Sequence, residues 1–329
     1  MGAAITGWGA ALPIAILDNA ELAGRLDIEE AWIFQRTGIR QRHVARDGET
    51  VDSLGVAASK DALKVAGLEP TALDFVIVAT VTSQQKLPST ACRIQAALGA
   101  TGAAAYDLNA GCSGFLFALA QANALIESRA AARVLVIGAD VLSSITDYSD
   151  TKSCVLFGDG AGAVVLERQE GPSRIGPFSL RSDGRNPQLL QTDPRTGLIS
   201  MDGREVYRRA VEAMATSIVD IVAECGLTYS DVKLFVAHQA NARILEAVGL
   251  RAGLPADKIV SNIACYGNTS AASIPLALVE AASDGRLSDG DLVVLTAFGA
   301  GFTWGAGLLR WGLWANEVRT RDLVGYTRA

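Results

Sequence analysis

Three residues of the chain combine a reactive side chain with a place where a regular element begins or ends. Cys112 lies in AYDLNAGCSGFLFAL, after a short strand and at the start of an apolar helix. There the unsatisfied backbone N–H groups and the helix dipole favour a thiolate, and Gly111 and Gly114 let another backbone or a substrate come close. Such a thiolate is a nucleophile toward a carbonyl carbon. Equally, a cysteine in an apolar run fills a core as a small hydrophobe. His238 closes the apolar strand KLFVAH, so its ring needs a hydrogen-bond partner or a proton-handling task. Asn268, in ACYGNTSAASIPLAL, stands before a helix of small residues. It suits an N-cap, and its amide is also a donor that does not titrate, fit to hold an enolate oxygen.

Other polar residues read more plainly. His43 sits in RQRH, a run that reads as a solvated basic face. Cys92, Cys154, Cys225 and Cys265 lack the glycine-flanked setting of Cys112 and read as inert. The five cysteines form no CxxC pair, which argues against a zinc site or any other metal and agrees with a reducing compartment. GDGAGA at 158–163 has the look of a phosphate loop, but Val164, Val165 and Leu166 follow as a strand. A pyrophosphate site needs a helix N-terminus there, so the motif reads as a hairpin turn and a dinucleotide-dependent oxidoreductase is set aside.

The elements that must position these residues alternate. Strands over 74–82, 133–140 and 153–167 are separated by helices over 52–66, 90–98 and 113–129. A helix over 204–225, a strand over 233–238, helices over 242–252 and 270–283, and strands over 291–298 and 303–311 follow. This is an α/β architecture. The second set echoes the first in order as well as in type: DFVIVAT with KLFVAHQ, RIQAALG with RILEAVG, RVLVIGAD with DLVVLTAF. We expect two fused halves, 1–170 carrying Cys112 and 171–329 carrying His238 and Asn268, with matching loops face to face.

Composition sets the surroundings. Of 329 residues 50% are hydrophobic and 19% charged, below the roughly 25% charge of average domains, which excludes disorder and demands a large core. Stretches 108–126 and 292–309 carry no charge and approach the ~20 residues that span a bilayer. The first opens with Asn, Gly, Cys, Ser and Gly and the second holds four glycines among β-type residues, so a buried helix and a buried strand–turn–strand are expected rather than membrane spans. Residues 1–17 hold no Lys or Arg to begin a signal peptide, which points to the cytoplasm. The net charge of −6 disfavours a nucleic-acid partner.

Eight segments, in order along nearly the whole chain, go further than spacing does. They are AWIFQRTGIRQRH (31–43), LPSTACRIQAALG (87–99), AGCSGFLFAL (110–119), LFGDGAGAVVL (156–166), MDGREVYRRAV (201–211), VAHQANARI (236–244), YGNTSAASIPLAL (266–278) and FGAGFTWGAGLLRW (298–311). With these the chain closely resembles the β-ketoacyl-[acyl-carrier-protein] synthase III family, condensing enzymes of the thiolase superfamily. The resemblance implies a thiolase-like five-layered αβαβα fold, internally duplicated, a homodimer, and no cofactor beyond the substrates acyl-CoA and malonyl carrier protein. It implies that Cys112 takes the acyl group as a thioester and that His238 and Asn268 donate to the malonyl thioester carbonyl, with Phe298 beside them. The backbone N–H groups of Cys112 and Ala300 match the oxyanion hole. Alanine should serve in that Gly-Ala-Gly turn unless the position needs a positive φ.

For CoA, Trp32 matches the residue stacked on adenine and Arg36 a nearby phosphate or base contact. Thr151 stands where the family has a second arginine, with Lys152 next to it. The acyl pocket falls on Leu87, Leu142, Phe157, Leu189, Met201 and Phe298. Leu87 replaces a phenylalanine that reaches across the dimer, which would leave room for a longer or branched starter. An acidic carrier protein needs a local basic patch, expected from Arg204, Arg208, Arg209, Arg243 and Arg251. The tail over 312–329, with Trp314 and Leu323, would pack on the surface or on a partner. Two other functions are open: a relative in natural-product assembly, with an unusual starter or transferring its acyl group to oxygen or nitrogen, and an idle partner subunit. Asn268 favours carbon–carbon bond formation over plain transfer, and the three residues together argue against idleness.

Overall fold

A computed structural model describes residues 1–312. Strands β1 (Gly2–Ala11) and β2 (Ile16–Asp18), helices α1 (Asn19–Leu26) and α2 (Glu30–Thr37), and strand β3 (Gln41–His43) come first. Helix α3 (Val51–Ala66), β4 (Phe75–Ala79), α4 (Thr90–Leu98), β5 (Ala104–Leu108), α5 (Gly114–Glu127), β6 (Arg133–Val141) and β7 (Asp159–Gln169) follow. Then come β8 (Ile175–Ser182), β9 (Leu190–Thr192), β10 (Ile199–Met201), α6 (Gly203–Glu224), β11 (Val232–Ala237) and α7 (Ala242–Ala252). Helices α8 (Ile263–Tyr266) and α9 (Ser273–Ser283) and strands β12 (Leu292–Gly299) and β13 (Thr303–Arg310) close the described chain.

Of the two larger sheets one has the order β1-β7-β6-β4-β5 and the other β8-β13-β12-β11, while β2–β3 and β9–β10 are separate two-stranded pairs. In each, the first two pairings are antiparallel and the third is parallel. The same order with the same strand directions is an internal duplication. The counterpart of β5 is reduced to one bridge between Phe235 and Ile259.

Helices α5 and α9 lie between the sheets. Phe115 and Leu119 of α5 and Ile274 and Leu278 of α9 share one core with Ile77 and Val136 of the first sheet and Val236 and Leu295 of the second. A helix covered on both sides must be apolar or small all round, and α5 carries no charge before Glu127. Helices α3 and α4 cover the outer face of the first sheet, and α6 and α7 that of the second. The result is five layers, αβαβα. The uncharged stretch 108–126 is the end of β5, the turn holding Cys112 and α5; 292–309 is the β12–β13 hairpin. Among the described residues no helix is long and apolar enough to cross a membrane.

Two expectations fail, each for a packing reason. GDGAGA is not a hairpin turn. From Asp159 it is the start of β7, paired with β1 on one side and β6 on the other. A Cβ on Gly162 would lie 2.7 Å from the Pro275 side chain and 2.9 Å from the Leu276 nitrogen, so glycine is there to let α9 sit directly on the sheet. Residues 153–158, expected to open that strand, are turn and bridge instead. Nor is RQRH a solvated face. Arg42 is fully buried and donates to the Leu17 and Val155 carbonyls and to Asn19; burial lowers its pKa to about 10. Half-buried His43 has Nδ1 2.6 Å from the Pro13 carbonyl. Of the cysteines expected to be inert, Cys154 is buried, Cys225 is partly so, and Cys92 and Cys265 are exposed. The tail expectation, with Trp314 and Leu323, lies outside the described residues.

Candidate active site

Cys112, His238 and Asn268, far apart in sequence, line one cavity of about 1250 Å³. Cys112 sits in a tight turn between β5 and α5. The Ser113 hydroxyl donates to the Thr303 carbonyl at 3.0 Å, and the Thr303 hydroxyl donates to the Ala110 carbonyl at 2.6 Å. These bonds fasten the turn to the start of β13. The β12–β13 turn lies against it: a Cβ on Gly299 would stand 2.5 Å from the Cys112 nitrogen, and one on Gly111 2.7 Å from the Ala300 nitrogen. The Cys112 and Ala300 backbones thus come side by side because both flanking residues lack a side chain. Ala300 is not among the residues of positive φ, which fall instead on Gly111 and Gly301, so alanine fits without strain.

The helix start does not make Cys112 a resting thiolate. Burial pushes the thiol up to about 11, Asp140 adds to the rise, and the Ser270 hydroxyl opposes it. Removing a thiolate from water costs more here than the helix terminus returns.

His238 follows β11 and is buried; its backbone N–H donates to the Thr296 carbonyl at 2.8 Å. Its Nδ1 lies 2.7 Å from the Ser273 hydroxyl, in the first turn of α9. Burial lowers the imidazole pKa to about 4, so the ring is neutral at neutral pH. With the Ser273 hydroxyl donating to Nδ1, the ring proton resides on Nε2, a donor. Asn268 is fixed in the same sense. Its backbone bridges Leu156 and Gly158 at 2.8 and 3.0 Å, and its Oδ1 accepts the Ser270 N–H at 2.9 Å. The amide nitrogen is left for the cavity. Asn268 does not cap α9, whose N-cap position is Ala272, nor the 3-10 turn Ser270–Ala272 that precedes it, whose N-cap position is Thr269.

Around this centre, Leu142, Phe157, Met201 and Phe298 line the cavity, and Phe298 packs on Phe302 with ring centroids 4.9 Å apart. Leu189 is half-buried and does not line it; its neighbour Leu190 does. Leu87 is 87% exposed and away from the cavity of its own chain. Trp32, Arg36, Lys152, Arg204 and Arg243 also line the cavity, with the Arg36 guanidinium 5.4 Å from the centre of the Trp32 ring; Thr151 does not. The five arginines expected to form one patch divide. Arg208 pairs with Glu205 at 2.9 Å and Glu212 at 3.8 Å, and Arg209 pairs with Glu205 at 3.5 Å and lies over Phe302. Arg251 borders a separate shallow groove beside Val219 and Asp220.

Sequence reasoning missed Ser273, which orients His238, and Asp140 and Ser270 beside Cys112. Asp140 had a signal: it ends the apolar strand RVLVIGAD as His238 ends KLFVAH. The serines stand in a small-residue run with nothing to single them out. The arrangement puts a thiol and two neutral N–H donors on the walls of one cavity. That suits covalent attack on a carbonyl followed by stabilisation of a second, enolate-like oxygen.

Comparison with known proteins points the same way. Two family models match, 3-oxoacyl-[acyl-carrier-protein (ACP)] synthase III over residues 106–184 and its C-terminal part over residues 222–311. The β-ketoacyl-[acyl-carrier-protein] synthase III of Sinorhizobium medicae is 49% identical over 319 residues, 93% of this chain and 98% of that protein. The crystal structure of 3-oxoacyl-[acyl-carrier-protein] synthase III from Aquifex aeolicus superposes with a TM-score of 0.91 at 44% identity, covering 94% of this chain and all of that one. The priming β-ketosynthase of the R1128 polyketide biosynthetic pathway superposes with a TM-score of 0.90 at 35% identity, covering 94% and 96% of the two chains.

Proposed function

The chain belongs to the β-ketoacyl-[acyl-carrier-protein] synthase III family, and we propose that it joins a starter acyl group from acyl-CoA to malonyl carrier protein at the start of fatty-acid synthesis. The Cys112 sulfur attacks the CoA thioester, the oxyanion forms against the Cys112 and Ala300 N–H groups, and CoA leaves. Malonyl carrier protein then enters. As CO₂ departs, the electrons of the broken bond become an enolate whose oxygen accepts from His238 Nε2–H and Asn268 Nδ2–H. The enolate carbon attacks the acyl carbon, the new carbon–carbon bond forms, and Cys112 leaves as thiolate.

The observation that carries this reading is that Cys112 lines one cavity with two N–H donors, the Asn268 amide and the buried His238 ring, whose pKa is lowered by burial. An amide and an imidazole with its pKa at about 4 make a poor general base for transfer to water or an alcohol, and a good pair of fixed dipoles for an enolate. Trp32, Arg36 and Lys152 would hold CoA, and no prosthetic group is required. Arg204 and Arg243, which carry no carboxylate partner among the described residues, would meet the acidic carrier first, with Arg208, Arg209 and Arg251 behind them. The working form would be a cytoplasmic homodimer in which Leu87 enters the partner's acyl pocket, and the duplicated halves would meet near residue 170. A second reading, priming of a natural-product pathway with a longer or branched starter, is favoured by Leu87, which is large-chain exposed yet smaller than an aromatic residue, and by the likeness to the polyketide priming ketosynthase.

The test is a single reaction mixture of enzyme, acyl-CoA and malonyl carrier protein, followed for CO₂ release and for β-ketoacyl carrier protein. Both should form in equal amounts, and Cys112→Ser should stop both. Acyl transfer without CO₂ release would refute the condensation. A strong preference for acetyl-CoA over isobutyryl- and longer acyl-CoAs would rule out the second reading.

A further inference from the structure

Gln239 follows His238 directly, is fully buried and does not line the cavity. Its side-chain amide is nonetheless completely engaged. Nε2 donates to the Ala237 carbonyl at 2.9 Å and to the Val260 carbonyl at 3.1 Å, and Oε1 accepts the Asn262 N–H at 3.1 Å. Two carbonyls and one N–H converge on this point, and an uncharged amide supplies two donors and an acceptor from a single group. The proposed chemistry brings Gln239 into no contact with substrate, so these three bonds are what the side chain does.

They fall at a place where the two halves of the chain differ. In the first sheet β5 pairs with β4 from Phe75↔Ala104 to Ala79↔Leu108 and runs on into the turn that holds Cys112. In the second sheet the segment beside β11 pairs through one bridge, Phe235 with Ile259, and the Val260 N–H donates to the Phe235 carbonyl at 3.0 Å. Backbone pairing stops there, before β11 ends at Ala237. The Gln239 amide continues it, joining the carbonyl of that last strand residue to the Val260 carbonyl and the Asn262 N–H. Buried backbone groups left without partners are costly; one side chain here closes the gap that a strand closes in the other half.

Each side of the junction leads to one donor of the enolate pair. His238 comes next after Ala237, its N–H bonded to the Thr296 carbonyl. On the other side Asn262 opens α8, its carbonyl accepting the Cys265 and Tyr266 N–H groups at 3.1 and 3.2 Å. That single helical turn and Gly267, held at φ +68, then deliver Asn268. Asn262 is fixed in turn from α9, its amide donating to Glu280 Oε2 at 3.0 Å. We propose that Gln239 is a positioning residue that sets the spacing of the His238 and Asn268 donors, by tying the strand end that carries one to the segment that carries the other. The role rests on the reading in which these two donors hold the enolate oxygen. Both must reach one atom at hydrogen-bond distance, and a misplacement of about 1 Å is enough to cost about 10²-fold in rate. The Cys112 turn is held separately, by the bonds among Ser113, Thr303 and Ala110, so acylation does not depend on Gln239.

The test separates the two half-reactions in Gln239→Met, which keeps the length of the side chain without its polar head, and in Gln239→Asn, which keeps the amide and withdraws it by one methylene. Enzyme is acylated with acyl-CoA and freed of excess. The acyl-enzyme is then mixed with malonyl carrier protein, and CO₂ release is followed in a single turnover over a series of carrier concentrations. A first-order rate constant read on acyl-enzyme does not depend on how much of a preparation is folded, so a variant of low yield still reports. Both variants should acylate Cys112 within about threefold of wild type and lose about 10²-fold in the limiting rate of CO₂ release, with the carrier concentration at half that rate moved by less than about threefold. Condensation within about twofold of wild type in both variants would overturn the proposal, as would a loss of acylation as large as the loss of condensation, which a purely structural role gives. Wild-type acyl-enzyme that releases no CO₂ from malonyl carrier protein would instead overturn the enolate reading beneath it.

Discussion

At the scale of single residues, the centre works by withholding charge. Cys112 rests as a thiol with its pKa near 11 and His238 as a neutral ring with its pKa near 4, so thiol and donors are both prepared without a resident ion pair. This has a measurable consequence for stability. The unfolded chain binds a proton at an ordinary histidine pKa that folded His238 refuses, so stability falls as pH drops from about 6.5 toward about 4, by about 3 kcal/mol at most. His238→Gln should remove that part of the slope; urea denaturation at a series of pH values checks it, and an unchanged slope would mean that the ring is protonated in the fold. Cys112, His238 and Asn268 were legible in the sequence because each is a polar residue where a regular element begins or ends: Cys112 between glycines at a helix start, His238 closing an apolar strand, Asn268 before a helix of small residues. The direction of the Cys112 shift was not, because desolvation depends on what the second sheet and the 270–272 turn bring over the sulfur, and no local pattern reports that. Ser270 was illegible for a related reason: its left-handed φ is imposed by contacts with β6.

Elements show the same division. The central helices α5 and α9 could be read from their lack of charge, and the duplication from the order of strands and helices. Strand β1, GAAITGWGAA, went unread because alanine and glycine are weak strand formers, and it exists because β7 pairs along its length. GDGAGA was misread for the converse reason. Glycine suggests a turn locally, whereas here it is demanded by α9 lying on the sheet. Gly162→Ala should therefore cost about 1–3 kcal/mol by overpacking Pro275 and Leu276. A fall in the urea midpoint at constant slope would register it; an unchanged midpoint would mean that α9 can move away from β7. Because α9 carries Ser273, the partner of His238, this packing also sets how firmly the donor pair is held.

For the whole molecule, the low charge with which the sequence stands out is explained by five layers, three of them helical and one of those covered on both faces. What charge remains gives a net −6, so an acidic carrier protein would be repelled at long range and must be captured locally. Arg243 at the cavity, free of a carboxylate partner among the described residues, is placed to do so. Arg243→Glu should raise the KM for malonyl carrier protein about tenfold or more, leave acylation by acyl-CoA much less affected, and lose part of its effect in high salt. Equal effects on both substrates would place Arg243 in CoA binding instead. Whether Cys112 carries the acyl group until an enolate takes it is read from intact-protein mass spectrometry. The enzyme is incubated with each of a panel of acyl-CoAs, freed of excess, and then given malonyl carrier protein. One acyl mass should be gained on Cys112 and then lost as a β-ketoacyl mass, with CO₂ gone, appears on the carrier. No acyl mass from any member of the panel, or a load that malonyl carrier protein leaves in place, would contradict it.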